Sequence, residues 1–478
     1  MTTPMYIRWL RLTLMLIAAG CAVIVWQIAV LMHATGQASL LMRGVVCGVT
    51  LIGVTAAALT VAPRRVLQRL SDTASSFRST IRSADPIIDR RGGLLLTGLG
   101  LVLYAALIAW MLSLPNDPWD DDQGAFLQTA ATVHESGGPL HLIADLYGGR
   151  FPEANRHPLY IALLSLRPTV GFGRGLSAAL GLMTLLSLTL WTARMRGELV
   201  AGVVCVLLAT NMAFCLFSTR VVCDVLMVLW GGAAFLLASR TASNPSRRLD
   251  DLAFGGVLGL AYLTKGTGQL LLIGVLLWKV ALWFRPPAAD SGPPSSRTLS
   301  GLALPVVLVL LGWGAVASPL LVRNVRVYGK PTYNVNDWLL FVDTFEQPVP
   351  LSERQTLGEA ARAYWASHTL ADIVRREVSG LAWETYILLR MLGPCPLDDS
   401  RVLFGLPLAL CALIGILARP RPEHLLLGYW TILFVGMFAW YVPIAAGERF
   451  LLTLLAPLLI CASEGLLRLL QMVRHARE

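Results

Sequence analysis

Long apolar stretches follow one another along most of the chain. A helix that crosses a bilayer needs about 20 apolar residues, and one further stretch, 252–284, is too long for one crossing. Lys265-Gly266-Thr267-Gly268 interrupts it, so we expect two helices there that meet at the membrane surface. The pattern predicts an all-α polytopic membrane protein with about twelve transmembrane helices. The ten single-crossing stretches are 9–33, 41–62, 93–114, 175–193, 199–217, 221–239, 299–320, 402–418, 425–443 and 451–470.

The charges between these stretches alternate in sign and predict sidedness. Segment 63–92 contains seven arginines and three aspartates, whereas segment 115–157 contains seven acidic residues and two arginines. Cytoplasmic loops carry an excess of Lys and Arg, so segment 63–92 and both termini are predicted to be cytoplasmic. The run 9–33 is too long for the apolar core of a signal peptide, and we interpret it as a retained first span.

Composition supports this class. The chain has 478 residues, of which 55% are hydrophobic and 14% charged, and its mean hydropathy is +0.64. Soluble domains carry about 25% charged residues. The net charge of +10 is explained by cytoplasmic loops without a nucleic-acid partner. Arginine far outnumbers lysine, which is typical of GC-rich bacterial genomes, so we expect a bacterial inner membrane. The eight cysteines form no CxxC pair and are expected to be small buried apolar residues.

Four regions follow from this topology. Residues 1–92 would form a two-span hairpin with a basic cytoplasmic loop. Residues 93–320 would form the membrane core, including a first outer loop at 115–174. Residues 321–400 would form a second outer loop, and 401–478 the last spans and tail. Inside the first loop we expect an amphipathic helix near 123–135 and a short apolar piece, Pro158 to Leu166, that packs as a partial helix or lies in the interface.

The most unusual polar feature is the acidic triplet Asp120-Asp121-Asp122, which is predicted at the non-cytoplasmic membrane surface. The simpler interpretation is a solvated acidic loop that obeys the topology rules. The functional interpretation is that one carboxylate acts as a general base on an acceptor hydroxyl or amine. Acidic groups near a bilayer are costly, which favours a function.

Six further side chains are predicted at the same membrane face. Each has an ordinary structural explanation, such as a histidine at a helix start, an i,i+4 ion pair at a helix end, a lysine that reaches the surface, or an anchoring arginine. Taken together, the cations suit a phosphate group. No Walker motif or GxGxxG occurs, so a lipid-linked phosphate donor is favoured over a nucleotide. The candidates are His157, Arg220, Asp224, Lys265, Arg323 and Arg449.

Several ordered motifs resemble the GT-C class of membrane glycosyltransferases, in particular the branch of lipid A aminoarabinose transferases and protein O-mannosyltransferases. Asp121-Asp122-Gln123-Gly124 resembles the acidic motif of the first outer loop, and His157-Pro158-Leu159-Tyr160 the segment that follows it. Leu263-Thr264-Lys265-Gly266 resembles a Leu-Thr-Lys-Gly stretch of the family. The last two matches are Arg323-Asn324 with Tyr328-Gly329-Lys330-Pro331, and Glu448-Arg449-Phe450-Leu451.

The resemblance implies an inverting transferase that takes a sugar from a polyprenyl-phosphate donor. It implies a catalytic aspartate in the first loop, for which Asp122 fits best and Asp121 second. It places Lys265 and Arg449 on the donor phosphate. The acceptor would be a glycan, lipid or protein outside the cytoplasm, and we expect no cofactor and no metal. The main alternative is a transporter or flippase for a lipid-linked saccharide, and another is a polymerase or ligase of surface glycans.

Overall fold

The computed structural model describes residues 90–116, 122–243, 247–284, 299–344, 356–394 and 401–475, with Met15, 54–55, 57–63 and Val66 before them. These residues form α-helices and short 3₁₀ turns, and none of them lies in a β-strand. The α-helices, numbered from residue 90, are α1 Arg90–Ser113, α2 Asp122–Glu135, α3 Gly138–Gly148, α4 Pro158–Leu164, α5 Val170–Arg196, α6 Glu198–Ala209, α7 Met212–Phe217, α8 Asp224–Ser243, α9 Arg248–Thr264, α10 Gly268–Phe284, α11 Leu299–Tyr328, α12 Leu357–Ser367, α13 Leu370–Leu392, α14 Arg401–Ala418, α15 Pro422–Tyr441, α16 Glu448–Leu451 and α17 Leu455–His475.

The all-α polytopic class is confirmed. Among the described residues, seven helical segments are long and apolar enough to cross a membrane, and each overlaps a predicted span. Two shorter apolar helices, α6 and α10, coincide with predicted crossings. The first two predicted spans, 9–33 and 41–62, the basic loop and segment 285–298 lie largely or wholly outside the described residues. The total of twelve therefore stays a prediction.

One predicted span differs from the structure in its continuity. The stretch 199–217 is not one continuous helix, because α6 ends at Ala209 and α7 begins at Met212. Asn211 lies between them. Its side-chain oxygen accepts from the Phe214 N–H at 2.9 Å, and its amide donates to the Met391 carbonyl at 2.7 Å. An amide capping a new helix competes with continuation of the old one. The stretch 252–284 is broken at Lys265 as predicted.

Two elements expected in the predicted first outer loop are present. Helix α2 covers the predicted amphipathic segment, and the apolar piece after His157 forms the short helix α4. Pro158, Tyr160, Ile161 and Leu164 of α4 are buried, so this piece packs as a partial helix inside the protein. Tyr160 meets Phe126 of α2 edge to face at 5.5 Å between ring centroids. The Tyr160 hydroxyl also lies 2.8 Å from Ser177 Oγ, which anchors α4 on the long helix α5.

Helix ends meet at one face of the bundle. Arg174, near the start of α5, donates to the carbonyls of Met111, near the end of α1, and of Thr219, just before α8. Lys265 at the end of α9 meets Asp224 at the start of α8. Helix starts and ends that are distant in sequence therefore share one level, which we call the outer face because the predicted topology puts it outside the cytoplasm.

Candidate functional site

A chain of ion pairs joins four of the predicted residues at the outer face. Asp122 Oδ2 lies 2.6 Å from Arg449 Nη1. Arg449 Nη2 lies 3.4 Å from Asp224 Oδ2, and Asp224 Oδ1 lies 2.6 Å from Lys265 Nζ. Residues 122 and 449 are 327 positions apart, so tertiary structure alone brings them together.

Each of the four is held at a helix terminus. Asp122 and Asp224 are the first residues of α2 and α8, where the helix dipole stabilises a carboxylate. Lys265 follows the last residue of α9 in an extended conformation. Arg449 lies in the first turn of α16, after Gly447 with a φ of 147°. Glycine adopts this backbone region without the steric cost that other residues would meet.

Burial is graded along the chain of ion pairs. The side chain of Asp224 is fully buried, and that of Lys265 is 16% exposed. The side chains of Arg449 and Asp122 are 27% and 43% exposed. A buried carboxylate is stable only when it is paired, so Asp224 fixes the two cations. The open end at Arg449 and Asp122 is where a ligand can reach the charges.

Arg156 belongs to this site and was not among the predicted binding residues. Its Nη2 lies 3.7 Å from Asp122 Oδ1, and its Nη1 lies 3.4 Å from Glu153 Oε2. Burial alone would raise the pKa of Glu153, but hydrogen bonds from the N–H groups of Asn155 and Arg156, with the Arg156 charge, hold that pKa below its usual range. Arg156 directly precedes His157 in the quoted motif, and this position was the available signal.

His157 and Arg323 contact the segments that carry Lys265 and Arg156. His157 Nδ1 forms a short hydrogen bond with the Tyr262 carbonyl, and a Cβ at Gly266 would lie 3.3 Å from its Nε2. His157 therefore packs against the turn that carries Lys265. Arg323 Nη1 donates to the Glu153 carbonyl at 2.5 Å, so it braces the segment that carries Arg156. Direct substrate contact by either residue stays a prediction.

Arg220 and Asp224 do not share a helical face, and that expectation was wrong. Helix α8 begins only at Asp224, and residues 218–223 form a turn and bends. The backbone N–H of Val221 donates to Gln123 Oε1 at 2.9 Å, which draws this segment toward the start of α2. Asp224 pairs with Lys265 and Arg449 instead.

Two further predictions concern ligands and catalysis. Asp121 and its neighbour Asp120 lie outside the described residues, so the assignment of a role to Asp121 stays a prediction. Within the part of the chain that the structure describes, no group of three or more His, Cys, Asp or Glu side chains is arranged to hold a metal ion.

Comparison with known proteins returned structural similarity only. No protein-family model and no curated protein matches the sequence. Archaeal oligosaccharyltransferase AglB from Archaeoglobus fulgidus, solved with an inhibitory peptide and a dolichol-phosphate, aligns with a TM-score of 0.44 and 13% identity over 80% of this chain and 51% of that chain. The apo form of the Archaeoglobus fulgidus oligosaccharyltransferase aligns with a TM-score of 0.35 and 15% identity over 73% of this chain and 51% of that chain.

These neighbours are GT-C glycosyltransferases, the class that the sequence motifs resemble. This chain spans about half the length of the solved structures it matches. At these TM-scores and identities the neighbours assign no activity, substrate or residue role to the chain. Any function assigned to this chain therefore depends on the chemistry of the site itself.

Proposed function

We propose that the protein is an integral membrane glycosyltransferase that moves a sugar from a polyprenyl-phosphate donor to an acceptor on the non-cytoplasmic side. The proposal depends on one ion pair, in which the Asp122 carboxylate lies 2.6 Å from the Arg449 guanidinium and both side chains are partly exposed to solvent. The buried Asp224–Lys265 pair lies directly behind it. One acid–base group beside several anchored cations suits transfer from a phosphate leaving group.

The reaction would proceed by a single inverting displacement. Asp122 accepts the proton from the acceptor O–H or N–H, and the acceptor atom attacks the anomeric carbon. The bond from that carbon to the phosphate oxygen breaks, and the phosphate leaves with the bonding electrons. Arg449 and Lys265 stabilise the growing negative charge on the phosphate. Arg156 lies 3.7 Å from the other oxygen of Asp122 and supplies a further positive charge. Fixed cations at a partly dry site lower such a barrier more than mobile solvent does.

A lipid-linked donor suits the location of these groups. Asp224, Lys265 and Arg449 lie at the ends of apolar helices, where the headgroup of a membrane lipid is found. The ring of Phe450 lies 5.2 Å from Lys265 Nζ and 5.9 Å from the guanidinium carbon of Arg449, which gives the site an apolar side. A flippase would instead need such charges near the bilayer midplane. Their position at helix ends favours the transferase.

The decisive substitution is Asp122→Asn in purified protein. Undecaprenyl-phosphate monosaccharides would be incubated with the protein and a membrane extract that supplies acceptors, and the released undecaprenyl phosphate measured by mass spectrometry. We expect release to fall by about 100-fold or more, since general bases contribute roughly 10²–10⁴-fold. Arg449→Met should weaken undecaprenyl phosphate binding, because the phosphate loses its most exposed cation.

Glu135→Gln is the matched control, since Glu135 is an exposed acidic residue of the same loop and its loss should leave release unchanged. Full release by a folded Asp122→Asn protein would reject Asp122 as the base. Loss of release in Asp121→Asn alone would transfer the role to Asp121. Movement of intact donor across vesicles without release would favour the flippase.

A further inference from the structure

A polar cavity of about 520 Å³ is lined by residues of the predicted second outer loop, between 343 and 379, and by residues 442 and 443. Its volume falls in the range of about 300–1,000 Å³ that is typical of small-molecule sites. The end of α12 and the first turns of α13 form one wall, and Val442 and Pro443, which follow α15, form another. Asp343 contributes a carboxylate that is 60% exposed.

The floor of the cavity is rigid. The guanidinium carbon of Arg376 lies 4.5 Å from the ring centroid of Trp440 and 5.2 Å from that of Tyr364. Arg376 Nε donates to the Trp440 carbonyl at 2.9 Å, and its side chain is only 6% exposed. His368 stacks on Tyr364 with 3.9 Å between the ring centroids. Side chains locked in this way hold a ligand site in a fixed geometry.

The charges that line the cavity are balanced. His368 Nε2 lies 3.1 Å and Arg376 Nη1 lies 3.5 Å from the Asp343 carboxylate. Asp372 lies 3.8 Å from Arg375. The two carboxylates therefore offset the two guanidinium groups, and Ser367 and Ser379 add neutral hydroxyls. Such a lining offers hydrogen-bond donors and acceptors side by side without a net charge.

A neutral polyhydroxylated ligand fits this lining best. Sugar hydroxyls both donate and accept hydrogen bonds, so each can bridge a carboxylate and a guanidinium. A phosphate would meet the exposed carboxylates of Asp343 and Asp372, and an acyl chain would leave the polar groups unpaired. A peptide that binds by strand addition needs a sheet edge, and the described ranges contain no strand.

The cavity is connected to the ion-pair chain through a short segment. Six positions separate Pro443 in the cavity wall from Arg449, and six residues span at most about 20 Å. Phe438 and Tyr441 of α15 contact Phe450 at 4.7 Å and 6.4 Å between ring centroids, and Phe450 lies beside Lys265 and Arg449. One oligosaccharide could therefore extend from the cavity toward Asp122.

We propose that this cavity is a saccharide subsite that holds a sugar unit of the acceptor, so that the acceptor of the reaction is itself a glycan or glycolipid. This inference rests on the transferase function proposed above. It also identifies Asp343 and Ser379 as residues that select the acceptor without touching the donor phosphate.

The test is binding of simple glycosides measured by saturation-transfer NMR on the full chain in detergent or nanodiscs. The probes are the methyl glycosides of glucose, galactose, mannose and N-acetylglucosamine. Inorganic phosphate and a Ser/Thr-containing peptide are tested separately as the competing ligand classes. We expect at least one glycoside to bind, and Asp343→Asn to weaken it by about tenfold through loss of a charged hydrogen bond. Ser379→Trp, which fills the cavity, should abolish binding, and Glu135→Gln should not change it.

Thermal unfolding shows whether each variant is folded. If Ser379→Trp does not fold, the effect of Asp343→Asn on glycoside binding decides the test. The inference is overturned if no glycoside binds, if the peptide or phosphate binds in their place, or if Asp343→Asn leaves binding intact. It is equally overturned if undecaprenyl phosphate displaces the glycoside, because the glycoside would then occupy the ion-pair site. Donor cleavage measured on the same samples separates the two proposals, since cleavage without glycoside binding rejects only the subsite.

Discussion

Asp224 is the residue on which the geometry of the ion-pair chain depends. Its carboxylate has no exposed surface and contacts Lys265 and Arg449 on its two oxygens. Removing one partner of a buried pair leaves an uncompensated charge, which costs about 3–5 kcal/mol. Because Asp224 holds both cations in place, a phosphate that approaches from the open end meets groups that are already oriented.

The pH response of stability should report on His157. Burial lowers the pKa of His157 from 6.5 to about 4, and the Arg323 charge acts in the same direction, while the hydrogen bond to the Tyr262 carbonyl opposes them. Between these values the unfolded chain binds a proton that the folded protein excludes. This group therefore destabilises the fold as the pH decreases from about 6.5 to about 4 and contributes no further change below that.

The measurement is the thermal unfolding temperature of wild type and His157→Gln across that pH range. We expect wild type to lose stability relative to His157→Gln as the pH falls, since glutamine keeps a hydrogen-bond donor but does not titrate. Parallel curves for the two proteins would mean that His157 is not held neutral in the fold.

The sequence singled out the four residues of the ion-pair chain but not how they pair. Asp122, Lys265 and Arg449 each interrupt or border an apolar run, and this cost marks them in the sequence. Which cation meets which carboxylate depends on contacts over 41, 225 and 327 residues, and no local pattern contains that information. Arg156 was missed as a ligand because the motif drew attention to the histidine beside it.

The lengths of the apolar stretches predicted where the helices lie, but they did not predict whether each helix is continuous. Segment 199–217 is apolar throughout except for Thr210-Asn211, yet the chain ends one helix there and begins another. The side-chain amide of Asn211 finds partners on both sides, and one of them, Met391, is 180 positions away. A polar residue inside an apolar run can cap a helix or remain within it, and only the tertiary partner decides between these outcomes.

Close packing of α14 against α17 should be intolerant of a single added methyl group. A Cβ at Gly415 would lie 2.1 Å from the Cys461 carbonyl oxygen, and a Cβ at Gly465 would lie 1.9 Å from that of Cys411. Overpacking of this kind costs about 1–3 kcal/mol. We therefore expect Gly415→Ala to lower the unfolding temperature measured in detergent.

Gly428→Ala on α15 is the control, since a Cβ there meets no atom within 4 Å. Alanine favours the helix by up to about 1 kcal/mol over glycine, so Gly428→Ala should leave the unfolding temperature unchanged or raise it. Equal effects of the two substitutions would show that α14 and α17 are not in backbone contact at Gly415.

The molecule as a whole has two chemically distinct ends. The outer face carries the Asp122–Arg449 chain and the cavity beside Pro443. At the opposite ends of α5 and α15, Arg196 forms a short ion pair with Glu423, and its Nε lies 3.2 Å from Glu464. Arg421 Nη1 lies 2.8 Å from the same glutamate. These buried carboxylates are paired with arginines at the end that the positive-inside rule predicts to be cytoplasmic.

Labelling of single cysteines tests this orientation. In a variant with all eight native cysteines replaced, Glu135→Cys and Gly358→Cys should react in intact cells with a membrane-impermeant maleimide, since both positions are exposed and lie in the two predicted outer loops. Arg247→Cys, at the exposed start of α9, should react only after the membrane is permeabilised. A cytoplasmic active site would reverse this pattern, and the acceptor would then have to be a cytoplasmic molecule. The orientation thus decides which pool of glycans can reach Asp122, because a charged site at one membrane face cannot serve substrates at the other.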